Sequence, residues 1–191
     1  MAVVFGNFLF VHGGYDVDKG IIGDFYEMDI SEECDEYIWK KQNNICDGKE
    51  IKLKGHTGVT HKEKLIIFGG EITTSQSNNV VYIYDFVTKK WKSIPPKGDV
   101  PRLDSHCALT IDNKMYVYGG YISDKAEHLT NILAFDIETC TWETVYKGQK
   151  NEQEPQGRSN FAMVEYNGNL LIFGGTNGVK TLNDMWSFNL K

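Results

Sequence analysis

The sequence predicts an all-β fold assembled from four copies of one antiparallel unit. Three observations predict it. Four apolar runs each stop at a glycine pair: NFLFVHGG (7–14), EKLIIFGG (63–70), NKMYVYGG (113–120) and GNLLIFGG (168–175). The pairs begin at Gly13, Gly69, Gly119 and Gly174, in steps of 56, 50 and 55 residues, and other landmarks keep that register. Aromatic residues form 13% of the chain, in short runs whose apolar spacing is that of strands and not of helices.

Each element of the unit has a reason in the residues. The first strand is a short alternating run, HTGVTH, HCALTI or FAMVEY, opened by His56, His106 or Phe161 thirteen residues before the glycine pair. Stretches carrying a proline and an arginine, PRLDSH and PQGRSN, lead into two of them. The second strand is the apolar run itself. It is apolar on both faces, whereas a strand with one wet face would alternate, so it is expected to be buried on both sides. Gly13–Gly14, Gly69–Gly70, Gly119–Gly120 and Gly174–Gly175 are expected to end it, where the backbone needs a positive φ or another segment comes close. After a variable loop comes the third strand, DFYEMD, VVYIYD, NILAFD or DMWSFN, ending at Asp29, Asp85, Asp136 or Asn189, whose side chain is expected to bond its own turn. The fourth strand carries Trp39, Trp91 or Trp142. Trp91 and Trp142 follow their aspartates by six residues and Trp39 by ten, because the hairpin SEECDE (31–36) is longer. Trp186 falls in the register of Tyr26, Tyr82 and Leu133, so it belongs to a third strand. Each repeat indole is expected to fill the space between neighbouring units, its loss costing about 3–5 kcal/mol where burial is complete.

This composite resembles the kelch repeat, and the resemblance covers essentially the whole chain. It implies a β-propeller, each repeat being a blade of four antiparallel strands with the first strand innermost. The repeats run approximately over 1–50, 51–100, 101–155 and 156–191, the last incomplete, within a single complete or partial propeller domain. Met1 aligns with Cys107, which truncates the first inner strand, and the chain stops before a fourth outer strand. A closed propeller needs about 4–8 blades. The expectation is therefore a piece of a larger propeller; closure against another segment or by self-association, and a small four-bladed ring, are the other solutions.

Composition narrows the function. A net charge of −6 argues against a nucleic-acid binder, which is usually basic on one face. No apolar run approaches the ~20 residues of a membrane helix, and the N-terminus lacks the basic start of a signal peptide. Cys34, Cys46, Cys107 and Cys140 show no C-x-x-C spacing and read as reduced thiols of a cytoplasmic protein.

Catalytic motifs are absent: there is no G-x-S-x-G, P-loop or H-E-x-x-H. Some kelch-type enzymes hold iron through E-x-x-x-D-x-x-x-H. Asp124 and His128 keep its second spacing, but Gly120 stands where the glutamate belongs. His12 replaces Phe68, Tyr118 and Phe173 at the end of a buried strand and reads as a hydrogen-bonded core histidine. Neither a catalytic group, a metal nor a cofactor is expected.

Function is expected in the loops, which vary while the strands keep their pattern. In the resemblance, the loops between second and third strands share one face with the connections between blades. That face carries the candidate contacts for a protein or peptide: Tyr15, Lys19, Glu71, Arg102, Tyr121, Asp124, Lys125, His128, Arg158 and Lys180. Tyr15, Glu71 and Tyr121 stand at one position, directly after the glycine pair. Arginines before the inner strand, such as Arg102 and Arg158, line the central cup in similar propellers; the other reading is a bridge to a loop carboxylate such as Asp104. The expected role is a non-catalytic interaction scaffold. A metal or small-molecule enzyme on the same fold, and a structural subunit docked by its blade edges, are the alternatives.

Overall fold

The computed structural model describes residues 1–31, 36–149 and 154–190, so most of the SEECDE hairpin lies outside the described residues. The structure is all-β, with four blade sheets of kelch-propeller type. It divides into two compact units, Met1–Pro96 and Lys97–Lys191.

In the first unit, blade 1 is the sheet β1 (Ala2–Phe5), β2 (Phe8–Asp16), β3 (Gly20–Asp29) and β4 (Trp39–Lys41), in that order. The small hairpin β5 (Ile45–Cys46) and β6 (Lys49–Glu50) lies in the connection to blade 2. Blade 2 comprises β7 (Thr57–His61), β8 (Lys64–Phe68), β11 (Val81–Asp85) and β12 (Lys90–Ile94), while β9 (Glu71–Thr73) and β10 (Gln76–Ser77) pair within the loop between β8 and β11.

In the second unit, β13 (Leu103–Asp104) precedes blade 3, whose strands are β14 (Cys107–Ile111), β15 (Lys114–Tyr118), β18 (Ile132–Asp136) and β19 (Thr141–Tyr146). The loop between β15 and β18 carries β16 (Tyr121–Ile122) and β17 (Glu127–His128). Blade 4 has three strands, β20 (Ala162–Tyr166), β21 (Asn169–Phe173) and β22 (Met185–Asn189).

The strand register follows the sequence register. Ile67 pairs with Tyr82, Val117 with Leu133, Val11 with Tyr26 and Ile172 with Trp186, which places Trp186 on a third strand. Leu65, Ile66, Ile67 and Phe68 are all fully buried, as a strand covered on both faces must be. Within the first unit, Phe10 and Phe25 of blade 1 share a core with Leu65, Ile67 and Tyr84 of blade 2. Within the second, Tyr118 and Ile132 of blade 3 share one with Phe161, Leu170 and Ile172 of blade 4.

The acidic turns behave as read. Asp85 Oδ1 accepts the N–H groups of Val87 (3.1 Å) and Thr88 (2.7 Å), Asp136 Oδ1 those of Glu138 and Thr139, and Asp29 Oδ1 that of Ser31. Two expectations need correction. The glycine pair ends the second strand in blades 2–4, but in blade 1 the strand runs on to Asp16 through a register shift at Gly13, because a bulge there keeps the ladder alive. The indoles are also not fully buried: Trp91 and Trp142 are half-buried, and Trp39 is 47% exposed. Trp91 does lie against the neighbouring blade, 5.3 Å from the Phe25 ring and 5.9 Å from His12.

Candidate functional site

Within each unit the loops that follow the second strands are built on the glycine pairs. The N–H of Gly120 donates to the Arg158 carbonyl at 2.7 Å, and a Cβ at Gly119 would lie 2.5 Å from that same oxygen. The carbonyl of the second glycine accepts an N–H from the returning loop: Gly70 from Asn78, Gly120 from Leu129 and Gly175 from Leu182. A Cβ at Gly70, Gly120 or Gly175 would lie 2.8, 2.7 or 2.6 Å from the carbonyl oxygen of Lys54, Asp104 or Ser159, so a side chain there would push the loop off the segment that enters the inner strand.

The residue after the pair then meets that entering segment. In blade 2, Lys54 and Glu71 exchange backbone hydrogen bonds (3.2 and 2.7 Å). In blade 3, the pairing extends to a three-stranded sheet, β13-β16-β17, with Tyr121 between Asp104 and His128. In blade 4, Ser159 and Thr176 exchange bonds of 2.9 Å each. One backbone arrangement thus carries three different side-chain pairs: lysine with glutamate, aspartate with tyrosine, and serine with threonine. Lys54 and Ser159 were not singled out from the sequence. Their signal is register, since both stand two residues before the opening residue of the inner strand, as Asp104 does.

On the first unit, Tyr15 is 55% exposed, and Lys54 Nζ stands 5.1 Å from its ring centroid while bridging Glu71 at 3.1 Å. Lys19 is exposed at a tight turn in which Asp16 Oδ1 accepts the N–H groups of Asp18 and Lys19. Those two bonds hold the Asp16 carboxyl below its usual range.

On the second unit, the Tyr121 ring meets the His128 ring edge-on at 5.4 Å, and His128 Nε2 lies 3.1 Å from Ser159 Oγ. Burial lowers the pKa of His128, with Asp104 acting in opposition, so the imidazole is neutral near pH 7. Arg102 Nε lies 3.6 Å from Asp124 Oδ2; Asp124, Lys125 and Lys180 are exposed. Asp124 and His128 are therefore engaged with different partners. Among the described residues, no group of three or more His, Cys, Asp or Glu side chains is placed to hold a metal. A cavity of about 400 Å³ opens beneath this sheet, lined by Asp99, Ile122, Lys125, Glu127, His128 and Lys147 among others.

Arg158 differs from the other candidates. It is fully buried, and its guanidinium donates to Gln156 O (3.1 Å), Gly174 O (2.9 Å) and both oxygens of Asp184 (2.6 and 2.9 Å). The Arg158 hydrogen bonds pull the Asp184 carboxyl down to about 2. Arg158 stands three residues before Phe161, as Leu53 and Leu103 stand three before His56 and His106, and both leucines are buried. It fills a core position and does not present its charge at the loop surface, so Arg102 and Arg158 are not equivalent.

The kelch-repeats domain described as KLHDC2/KLHL20/DRC7 matches residues 55–191. Tip elongation aberrant protein 3 of Schizosaccharomyces pombe is 24% identical over 97% of this chain and 19% of its own length. Kelch domain-containing protein 3 of Rattus norvegicus is 27% identical, with 98% of this chain and 50% of that protein covered. Kelch domain-containing protein 10 of Xenopus laevis is 29% identical, with 99% and 46% covered. The chain thus spans half or less of the length of these relatives. The solved structure titled "Structure of YjhT" superposes with a TM-score of 0.77 at 14% identity, over 99% of this chain and 61% of that one, which bears on the fold alone. No helix among the described residues is long and apolar enough to cross a membrane. Four glycine-paired blades in register, together with this domain match, make the chain a member of the kelch-repeat family.

Proposed function

We propose that this chain is a non-catalytic scaffold of the cytoplasm that binds a protein or peptide through its loop face. One observation carries the reading. The same backbone pairing, between the residue after the glycine pair and the segment entering the inner strand, recurs in blades 2, 3 and 4 with chemically different side chains. A constant frame with variable tips suits recognition by complementarity, with no covalent step. Tyr15 and Tyr121 are the anchors. A tyrosine supplies a large, stiff contact area at low entropy cost, and such residues dominate interface energetics. Lys19 and Glu71 on the first unit, and Arg102, Asp124, Lys125, His128 and Lys180 on the second, mix both signs of charge, which fits a partner surface that is neither purely acidic nor purely basic.

The experiment is affinity capture with the intact chain, followed by measurement with the recovered partner. Tyr15→Ala and Tyr121→Ala are each expected to weaken binding about tenfold or more while leaving thermal unfolding unchanged. Unchanged affinity in both variants would remove the loop face from the interface.

A further inference from the structure

The cavity beneath β16 and β17 recurs within the second unit. One of about 400 Å³ lies in blade 3 and one of about 340 Å³ in blade 4. Their walls correspond by register. The segment entering the inner strand gives Asp99 and Pro101 to the first and Glu154 and Gln156 to the second, seven and five residues before His106 and Phe161. The returning limb of the loop gives Leu129 and Leu133 to the first and Leu182 and Trp186 to the second. Leu129 and Leu182 fix that limb in the same way, each donating its N–H to the carbonyl of the second glycine of the pair.

The two cavities differ in how their charges are used. In blade 4 both carboxylates are engaged: Glu154 Oε2 accepts the N–H of Gln149 at 2.6 Å, and Asp184 holds Arg158. Lys180 is the remaining charge there. In blade 3, Glu127 and His128 are engaged, His128 with Ser159 Oγ at 3.1 Å. Asp99 on the entering segment, Lys125 at the turn between β16 and β17, and Lys147 just past β19 are exposed, and none of the three lies in an ion pair among the described residues.

Lys147 reaches the cavity through a β-bulge. Leu133 pairs with Thr144 but Ile132 pairs with Tyr146, so Val145 is an extra residue in β19. Blade 2 has no such shift, since β11 and β12 pair without a break from Val81–Ile94 to Asp85–Lys90. Side chains alternate along a strand, so one inserted residue exchanges the faces of those beyond it. The bulge turns Tyr146 onto the core, where its ring lies 5.0 Å from that of Phe188. It turns Lys147 onto the side of Leu133 and Thr144, which line the cavity. A regular strand would put Lys147 on the core side and Tyr146 over the cavity.

We propose that the blade 3 cavity takes a segment of a partner peptide carrying one acidic and one basic side chain, the acid meeting Lys125 and Lys147 and the base meeting Asp99. Charges of both signs line one cavity without neutralising one another, and an occupant of both signs satisfies them all. Leu129 and Leu133 offer apolar surface to the methylene stems of such side chains. Thr130, Asn131 and Thr144 supply hydroxyl and amide groups for the peptide backbone. The inference deepens the loop-face reading and takes from it that the occupant is a peptide.

NMR titration of the intact chain with blocked dipeptides tests this. Those pairing lysine with glutamate, in either order, are compared with dipeptides in which alanine replaces one or the other. The better-fitting doubly charged probe is expected to shift the amide signals of Thr130, Asn131 and Thr144 and to bind about two- to fivefold tighter than either singly charged one. Asp99→Asn should remove the gain due to lysine, and Lys125→Met with Lys147→Met the gain due to glutamate. All three side chains are exposed, so the fold should survive, as circular dichroism can check. Equal binding of all the probes, or no shift at those three residues, would overturn the proposal. So would a response to inorganic phosphate without one to the dipeptides, which would assign the lysines to a simple anion. The titration needs no partner protein, so it can fail while Tyr15 and Tyr121 still anchor one, and succeed while they do not.

Discussion

The buried Arg158–Asp184 pair gives the sharpest energetic test. Its positions are occupied in blade 3 by Leu103 and Asn131, the latter directly preceding Ile132 as Asp184 precedes Met185. In Arg158→Leu, Asp184 loses two charged donors but keeps the Trp186 indole N–H at 2.7 Å, and it is 38% exposed, so water can rehydrate it. The carbonyls of Gly174 and Gln156 also lose a donor. With about 1–3 kcal/mol for each buried group left unmet, a net loss of roughly 2–4 kcal/mol is expected. Asp184→Asn leaves a fully buried guanidinium without its carboxylate and should cost about 3–5 kcal/mol. The double variant Arg158→Leu/Asp184→Asn reproduces the blade 3 arrangement and should return to within ~1 kcal/mol of wild type, since well-packed apolar groups replace buried ion pairs at little net cost. The assay is urea unfolding of the three variants at pH 7, read as a double-mutant cycle. The pair also has a pH signature. The folded-state pKa of Asp184 is depressed from 3.8 to about 2, so its contribution is fully present above pH ~4 and is lost as pH falls through about 2. After discounting for solvent screening, that loss is roughly 1–2 kcal/mol in wild type and absent in the double variant. Additive single effects, or an Asp184→Asn penalty below about 1 kcal/mol, would refute the assignment of Arg158 to the core.

Three further outcomes follow. Burial lowers the pKa of His12 to about 4 and that of His106 to about 3, both from 6.5, so stability should fall as pH drops below 6.5, by roughly 2 kcal/mol per histidine at pH 5; His106→Phe, the residue type at Phe161, should flatten that slope in urea titrations at pH 7 and pH 5. Gly120 (φ +89°) and Gly98 (φ +87°) share a backbone conformation, but a Cβ at Gly120 would lie 2.7 Å from Asp104 O, whereas at Gly98 it meets open space; Gly98→Ala should cost about 1–2 kcal/mol and Gly120→Ala clearly more, by thermal or urea unfolding. Trp91 packs on Phe25, His12 and Tyr84 and donates to Asn43 O at 2.8 Å, so Trp91→Ala should cost roughly 2–4 kcal/mol and Trp39→Ala less, with equal penalties counting against the inter-blade role.

Most of the fold was legible because local and global signals coincide. The glycine pair, the strand-ending acid and the indole each satisfy a local need, a crowded backbone, a turn or a packing gap, and all recur in one register. The histidine reading succeeded for the same reason. His12 Nε2 lies 3.1 Å from the Ile51 carbonyl, which only accepts, so Nε2 carries the proton and Nδ1 accepts from His56 Nε2 at 3.1 Å. What was not legible was how far each repeat indole is covered. The sequence registers Trp39 as one of three equivalent indoles, yet its exposure depends on whether a neighbouring blade covers it, which no local pattern encodes.

The arginines show where residue type misleads. Arg102 and Arg158 look alike because each follows a proline shortly before an inner strand, but they differ by one position relative to that strand. In an extended segment one position decides between opposite sides. Counting back from the strand opener, not forward from the proline, puts Arg158 in the column of Leu53 and Leu103 and marks it for the core. A charge in a leucine column must then bring its partner with it, and the matching change stands at Asp184, where blade 3 has Asn131. The two substitutions are separated by 26 residues and make sense only as a pair. Columns of a repeat that change together, against a chemistry the other copies share, therefore locate buried contacts. Columns that change alone while the backbone pairing persists, as after the glycine pair, locate the surface left free to vary for recognition.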